Sequence, residues 1–411
     1  MANHNQDINN IILENARGNL KVISPEVQKD ITHAAAVETT NIIINDLRGG
    51  LFSILVDESR DISIKEKMAV VLRYVNAKGC VLERFLGIIH VSDTTSLSLK
   101  LAIETLFSKY GLSLSSLRGQ GYDGASNMQG AIHGLKTLIL KENSSAYYIH
   151  CFAHQLQLAL VAVAKNHVQI AVLFNIVASL LNVVGASCKR KDILRERQLE
   201  KIVEACKNGE ISSGRGLHQE TSLQRPGDTR WGSHYGSLTN LIVMFDSVID
   251  VLELILEEGI NSEQKGKAYS LLESIQSFEF IFNMHMMTNI LGVTNELSQA
   301  LQRKDQDIIN AIALVNVSKQ RLQTIRDNGW ESLFGEVSLF CERRNIDVPN
   351  MDDIFVIRGR SRRNAQQMTN LHNYHIELFY TLIDMQLQEL NNRFTEVNME
   401  LLLLCSMFEP K

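Results

Sequence analysis

An abrupt change of pattern near residue 168 constrains the fold of this chain more than any other feature of its sequence. Before that position, short runs rich in Val, Ile, Leu and Tyr alternate with segments of helical spacing, whereas after it only helical spacing remains. The strand-like runs are residues 51–56, 68–75, 81–91, 117–122 and 147–149. The sequence therefore predicts a mixed α/β part followed by a long helical part.

The order of these runs indicates a particular sheet. Short links separate the first three strands, which predicts an antiparallel meander, and helices at 95–110 and 126–141 flank the fourth strand. A further apolar helix is predicted at 152–165. The resulting order, β-β-β-α-β-α-β-α, is that of RNase H-like folds. We therefore expect an α/β RNase H-like core in a chain that is helix-rich overall.

Composition excludes several classes of protein. The 411 residues carry a formal net charge of −5, so charge over the whole chain does not favour nucleic-acid binding. Six cysteines are thinly spread, which favours a reducing compartment. The first ten residues lack the pattern of a secretory signal, and the apolar run 170–184 is interrupted by polar residues and is expected to fall short of a membrane span. A soluble intracellular protein is expected.

Two aspartates follow strand-like runs that lie far apart in the chain. Asp57 comes directly after 51–56, and Asp123 directly after 117–122. Carboxylates at the carboxyl ends of adjacent parallel strands come close together and bind a divalent cation such as Mg²⁺ or Mn²⁺. Such ions activate a water or a 3′-hydroxyl in phosphodiester chemistry. The alternative is that both residues only end strands and begin turns, where Asp is common.

Four motifs in order carry a resemblance to a known family. They are FSILVDES around Asp57, GYDGASNM around Asp123, HCFAH around Cys151 and DTRW around Trp231. With LQELNNRF, they resemble hAT-family transposases, in particular the zinc-finger MYM-type-like and TTF-type branch. The resemblance covers nearly the whole chain.

The resemblance implies roles for individual residues. Asp57 and Asp123 would be the first two acids of the catalytic triad, and both would hold the metal. Arg230 and Trp231 would be an Arg-Trp pair that contacts DNA, and Cys151 with His154 would match a Cys-x-x-His motif. Nuclear localisation, DNA as a partner and homo-oligomerisation in the full-length relative are also implied.

The domain organisation follows from the pattern and the resemblance together. We expect a flexible N terminus at 1–23 and an RNase H-like core half with its preceding helix at 24–167. Residues 168–375 would form a large all-α insertion domain, and 376–411 a C-terminal helical segment in which the return to the core is truncated.

Departures from the family pattern bear on activity. The family places its third acidic residue in a Glu-Arg-Ser/Thr-Phe-Ser-like motif near the C terminus, within its dimerisation segment, and this sequence has neither that motif nor the N-terminal zinc finger. Glu396 and Glu400 lie in an amphipathic helical pattern and are interpreted as solvated. We therefore expect a catalytically incomplete chain.

Other candidate residues have competing interpretations. Cys151 and His154 supply two zinc ligands where structural sites need four, so a structural contact near the site is favoured and no zinc site is supported. An Arg-Trp pair stacks on bases, although a core Trp beside a surface Arg is the alternative. A basic cluster would neutralise phosphates or simply form a solvated loop; it comprises Arg358, Arg360, Arg362 and Arg363.

Three hypotheses of function remain open on the sequence. The first is a DNA transposition-related nucleic-acid-binding protein that lacks the third acid. The second is a domesticated, non-enzymatic helical scaffold that binds other proteins. The third is an active metal-dependent DNA strand-transferase whose site is completed in trans.

Overall fold

The chain consists of two compact units. The computed structural model describes residues 24–60, 65–207, 223, 232–259, 261–303, 308–356 and 368–394. The units are Met1–Cys151 and Phe152–Lys411. Their boundary precedes the predicted one at residue 167, because the helix after the last strand contributes Leu156 and Val163 to the core of the second unit. The predicted flexible segment 1–23 lies outside the described residues.

A long helix, α1 (Pro25–Leu47), precedes the sheet. Ser24 caps it by accepting a hydrogen bond from the Val27 amide at 3.3 Å, and Pro25 occupies the first turn, where its missing N–H costs nothing. Arg48 and Gly49 then adopt left-handed φ angles of 52° and 68°, which end the helix. These features set the two ends of the helix.

A mixed five-stranded sheet forms the first unit. Its spatial order is β3-β2-β1-β4-β5, with β1 antiparallel to β2 and parallel to β4. β2 also pairs antiparallel with β3, and β4 pairs parallel with β5. The predicted meander and the two later parallel strands are therefore confirmed. The strands are β1 (Phe52–Arg60), β2 (Glu66–Val75), β3 (Val81–His90), β4 (Leu117–Tyr122) and β5 (Tyr147–His150).

One face of the sheet is covered by helices. Strand residues such as Ile54, Val70 and Leu72 are fully buried on that face. Leu99 of α2 and Leu135 of α4 belong to the same cluster. The helices of this unit that follow α1 are α2 (Ser96–Tyr110), α3 (Ser126–Gln129) and α4 (Leu135–Glu142).

Two predictions about this unit are wrong in their bounds. Residues 126–141 form α3 and α4 rather than one helix, because Gly130 and Gly134 make a turn so tight that a Cβ on Gly134 would lie 2.2 Å from the Gly130 nitrogen. The first strand does not end at Val56 but continues to Arg60. Its partner β2 is long enough to pair as far as Arg60 opposite Glu66.

The second unit is mainly helical in its described residues, with one isolated β-bridge between Ile354 and Thr369. Residues 232–258 and 262–301 each form two helices, and Ser277 begins the second helix of the latter pair by capping the Phe280 amide at 3.3 Å. The C-terminal helical segment begins as a π-helix (His372–Tyr380), and residues beyond 394 lie outside the described part of the chain. The α-helices are α5 (Phe152–Asn166), α6 (Val168–Gly185), α7 (Cys188–Lys207), α8 (Gly232–Val243), α9 (Phe245–Glu258), α10 (Ser262–Ile275), α11 (Phe278–Leu301), α12 (Ile308–Asn328), α13 (Trp330–Glu342) and α14 (Thr381–Arg393).

Helix α6 is long and apolar enough to pass a simple test for a membrane span. Its 18 residues have a mean hydropathy of 2.0, so by length and composition it could cross a membrane, contrary to the expectation for this run. Leu173, Val177 and Leu180 are nevertheless buried in the core of the helical unit. A core helix of a soluble protein has the same properties, so this single helix is weak evidence for a membrane span.

Candidate functional site

Asp57 lies on β1, and Asp123 directly follows β4, the parallel strand beside β1. In the β1–β4 ladder, Leu55 pairs with Gly121. Each aspartate is the second residue after that pair, and side chains two residues apart on a strand point to the same face. Asp57 lies within β1, opposite Ala69 of β2, whereas Asp123 lies just beyond β4. Asp57 is exposed and Asp123 is partly exposed, so solvent reaches both carboxylates.

Glycines allow β4 to lie close to its neighbours on this face. A Cβ on Gly119 would lie 2.5 Å from Ser53 Oγ, and a Cβ on Gly121 would lie 2.8 Å from Leu55 Cδ2. A Cβ on Gly124 would meet the His150 ring at 2.6 Å. None of these three glycines has a positive φ angle. These glycines therefore allow neighbouring atoms to approach closely, rather than providing a turn conformation that only glycine adopts.

The turn after β4 is held by two hydrogen bonds. Asp123 Oδ1 accepts a hydrogen bond from the Ala125 amide at 3.2 Å, which closes an Asx turn. The Tyr148 hydroxyl on β5 donates to the Asp123 carbonyl at 2.9 Å. Burial raises the pKa of Tyr148, and the charge of Asp123 adds to this effect. Tyr148 therefore remains protonated at neutral pH and continues to donate this hydrogen bond.

A third carboxylate, Glu58, shares the electrostatic environment of the two aspartates. Burial raises its pKa above the usual range, and the negative charges of Asp123, Glu66 and Asp57 raise it further. The Asn127 side chain opposes this shift by donating to Glu58, with Nδ2 at 3.3 and 3.4 Å from the two carboxylate oxygens. No role for Glu58 or Asn127 was predicted from the sequence. Glu58 lies inside the motif FSILVDES and Asn127 inside GYDGASNM, and membership of these motifs is the only signal that could have identified them.

An open cleft of about 560 Å³ lies beside Asn127. It is bordered by the start of α2, the start of α3 and the turn between α3 and α4. Its lining is rich in hydroxyl groups and glycine, with one imidazole. The lining residues include Thr95, Ser96, Ser126, Asn127, Ile132 and His133.

The first unit has a relative among known protein families. Residues 1–134 match the family described as DUF4371: ZMYM1/FAM200, RNase-like domain. The description of that family calls this part of the chain RNase-like. This match is consistent with the RNase H-like core expected from the strand order. From here the unit Met1–Cys151 is called the RNase-like unit.

Two curated proteins are similar over most of the chain. The human "52 kDa repressor of the inhibitor of the protein kinase" is 22% identical over 375 residues, which is 87% of this chain and 46% of that protein. The mouse protein of the same name is 22% identical over 370 residues, with the same two coverages. This chain therefore spans about half the length of the curated relatives it matches.

The chemistry of the RNase-like site suits a hard divalent cation. Mg²⁺ commonly takes one or two carboxylates from the protein and completes its shell with waters and substrate phosphates. Asp57 on β1 and Asp123 directly after β4 are carboxylates of that kind. Across the described residues, however, no group of three or more His, Cys, Asp or Glu side chains is arranged to hold a metal ion.

The other predicted site residues are placed as follows. Arg230, Trp231, Arg358 and Arg360 lie outside the described residues, so their roles stay predictions. Cys151 is an exposed free thiol whose amide donates to the Tyr122 carbonyl at 3.1 Å, which continues the β4–β5 pairing. His154 lies in the first turn of α5, in the helical unit. The structural role proposed for these two residues stays a prediction.

Proposed function

We propose that this chain is a transposase-derived, nucleic-acid-binding protein related to the hAT group. The observation that carries the proposal is the parallel pairing of β1, which contains Asp57, with β4, which ends one residue before Asp123. The RNase-like match at 1–134 and the strand order both support it. The helical unit would then be the insertion that interrupts an RNase H-like core.

The proposed role of the two aspartates is to hold phosphate through a divalent cation. Two carboxylates alone repel the nucleic-acid backbone, because both are negatively charged. A divalent cation bound between them would neutralise that charge and present open positions to phosphate oxygens. The chain's own contribution is to orient these carboxylates, through the β1–β4 register for Asp57 and through the Asx turn for Asp123.

The relatives bear on the biological role. Both are named as repressors, and a repressor that acts through nucleic acid is consistent with a site retained from a transposase. We propose the nucleus as the location for the same reason.

Salt dependence of DNA binding tests this proposal. Affinity of the full chain for labelled duplex and single-stranded DNA would be measured by fluorescence anisotropy from about 50 to about 200 mM KCl in Mg²⁺. The logarithm of the association constant should fall linearly with the logarithm of salt concentration, because phosphate contacts release counterions. Binding that is absent, or insensitive to salt, would contradict the proposal and favour a protein-binding helical scaffold.

A further inference from the structure

Asn127 connects three segments of the RNase-like unit. Its side-chain Nδ2 donates to the Glu58 carboxylate on β1 and to the Thr94 carbonyl, the latter at 2.8 Å. Its own carbonyl accepts from Ser96 Oγ at 2.7 Å. Thr94 lies in the link between β3 and α2, and Ser96 is the first residue of α2. One residue therefore joins β1, this link and the short helix α3.

Asn127 lies only four positions after Asp123. The Asx turn and α3 fill the distance between them, and the Met128 and Gln129 amides donate to the Ala125 carbonyl at 3.0 and 2.9 Å. Because this segment is short and is held by these three hydrogen bonds, a displacement of α3 is expected to move Asp123 as well. The last β1–β4 pair is Leu55 with Gly121, so the ladder itself does not extend to Asp123.

We infer that Asn127 is a positioning residue, which holds the Asp123 turn against β1 by its hydrogen bond to Glu58. The effect of Asn127 on cation and DNA binding rests on the proposed function, since Asp57 and Asp123 can act together only while the Asp123 turn stays beside β1. In this role Glu58 is the hydrogen-bond acceptor on β1 and not a metal ligand. The negative charges of Asp123, Glu66 and Asp57 act on its partly buried carboxylate, and the side-chain amide of Asn127 is the donor that opposes their effect.

Exchanging the donor and the acceptor of the Glu58–Asn127 hydrogen bond distinguishes a positioning role of Asn127 from a general loss of stability. In the double variant Glu58→Gln/Asn127→Asp, the new amide at position 58 donates to the new carboxylate at position 127. Both Asn127→Ala and the double variant lose the hydrogen bond to Thr94, and the double variant also brings a carboxylate oxygen towards the Thr94 carbonyl, so the Thr94 link cannot be the source of any recovery. Recovery in the double variant therefore assigns the effect to the Glu58 link.

Hydrogen exchange on the full chain is the first readout. In Asn127→Ala, amides of residues 123–134 should exchange at least about tenfold faster than in the wild type, while β2 and β3 amides stay protected. Asn127→Asp alone should behave in the same way at neutral pH, because it places two carboxylates opposite each other. The double variant should return exchange of residues 123–134 to within about threefold of the wild type.

The second readout separates this inference from the proposed function. Mg²⁺-dependent DNA affinity should fall in Asn127→Ala and recover in the double variant. If the wild type binds no DNA but exchange follows the pattern above, the proposed function fails and the positioning role stands. Unchanged exchange at 123–134 in Asn127→Ala, or no recovery in the double variant, would overturn the positioning role. If Asn127→Ala loosens the whole unit, recovery in the double variant decides the question in the same way.

Discussion

Asn127 Nδ2 lies within 3.4 Å of both carboxylate oxygens of Glu58, although 69 positions separate the two residues in the chain. This hydrogen bond does not offset the whole cost of the charge, because burial and neighbouring acids still raise the pKa of Glu58. The charged form of Glu58 is therefore less favourable in the folded protein than in the unfolded chain.

The raised pKa predicts that Glu58→Gln stabilises the RNase-like unit at neutral pH. A carboxyl group with a raised folded-state pKa contributes stability below its unfolded value of about 4.5, and that contribution is lost as pH rises through the folded value. The melting temperature of Glu58→Gln should exceed that of the wild type at pH 7, and the difference should shrink towards pH 4. Glu38→Gln on α1 is an exposed control that should show no such trend. A lower melting temperature for Glu58→Gln at pH 7 would contradict this account.

Gly124 is expected to be intolerant of any side chain. In Gly124→Ala the new Cβ would meet the His150 ring at 2.6 and 2.9 Å, and overpacking of this kind costs about 1–3 kcal/mol of unfolding free energy. Urea denaturation would measure it, with Gly87→Ala as the control because a methyl group at that position would have no atom within 4 Å. In a His150→Ala background the cost of Gly124→Ala should fall. An equal cost in both backgrounds would show that the ring is not the obstacle.

The helical unit should lose stability on acidification because of His285. This side chain is 3% exposed, and burial lowers its pKa below the usual value, although Glu336 at 3.0 Å from Nδ1 opposes that shift. As pH falls, His285 therefore takes up a proton in the unfolded chain at a higher pH than in the folded protein. Its contribution to the unfolding free energy is fully present above about pH 6.5 and is lost as pH drops towards the folded pKa.

The variant His285→Phe tests this assignment. The phenyl ring keeps the contact with Phe340 but cannot bind a proton. The unfolding free energy of the variant should therefore depend less on pH between about 7.5 and 5.5 than that of the wild type. His372→Gln, at an exposed histidine, is the control. The same pH slope in His285→Phe and in the wild type would exclude His285 as the cause.

The sheet was predictable from sequence because each strand carries its own signal. Alternating apolar residues and short links gave the strand order, and the bounds of β4 at 117–122 agree with the prediction. The end of β1 was not predictable, since it depends on the length of its partner β2. The Glu58–Asn127 bond was also missed, because local sequence carries no information on which distant side chains meet.

The central claim is that Asp57 and Asp123 bind DNA phosphate through a divalent cation. It is tested most directly by measuring the DNA affinity of the wild type and of Asp57→Asn/Asp123→Asn, each with and without Mg²⁺. With a chelator, the double variant should bind more tightly, because two charges that repel phosphate are gone. Mg²⁺ should raise wild-type affinity by roughly fivefold or more and leave the double variant nearly unchanged. The account is contradicted if Mg²⁺ affects both proteins equally, or if the double variant binds DNA like the wild type under both conditions.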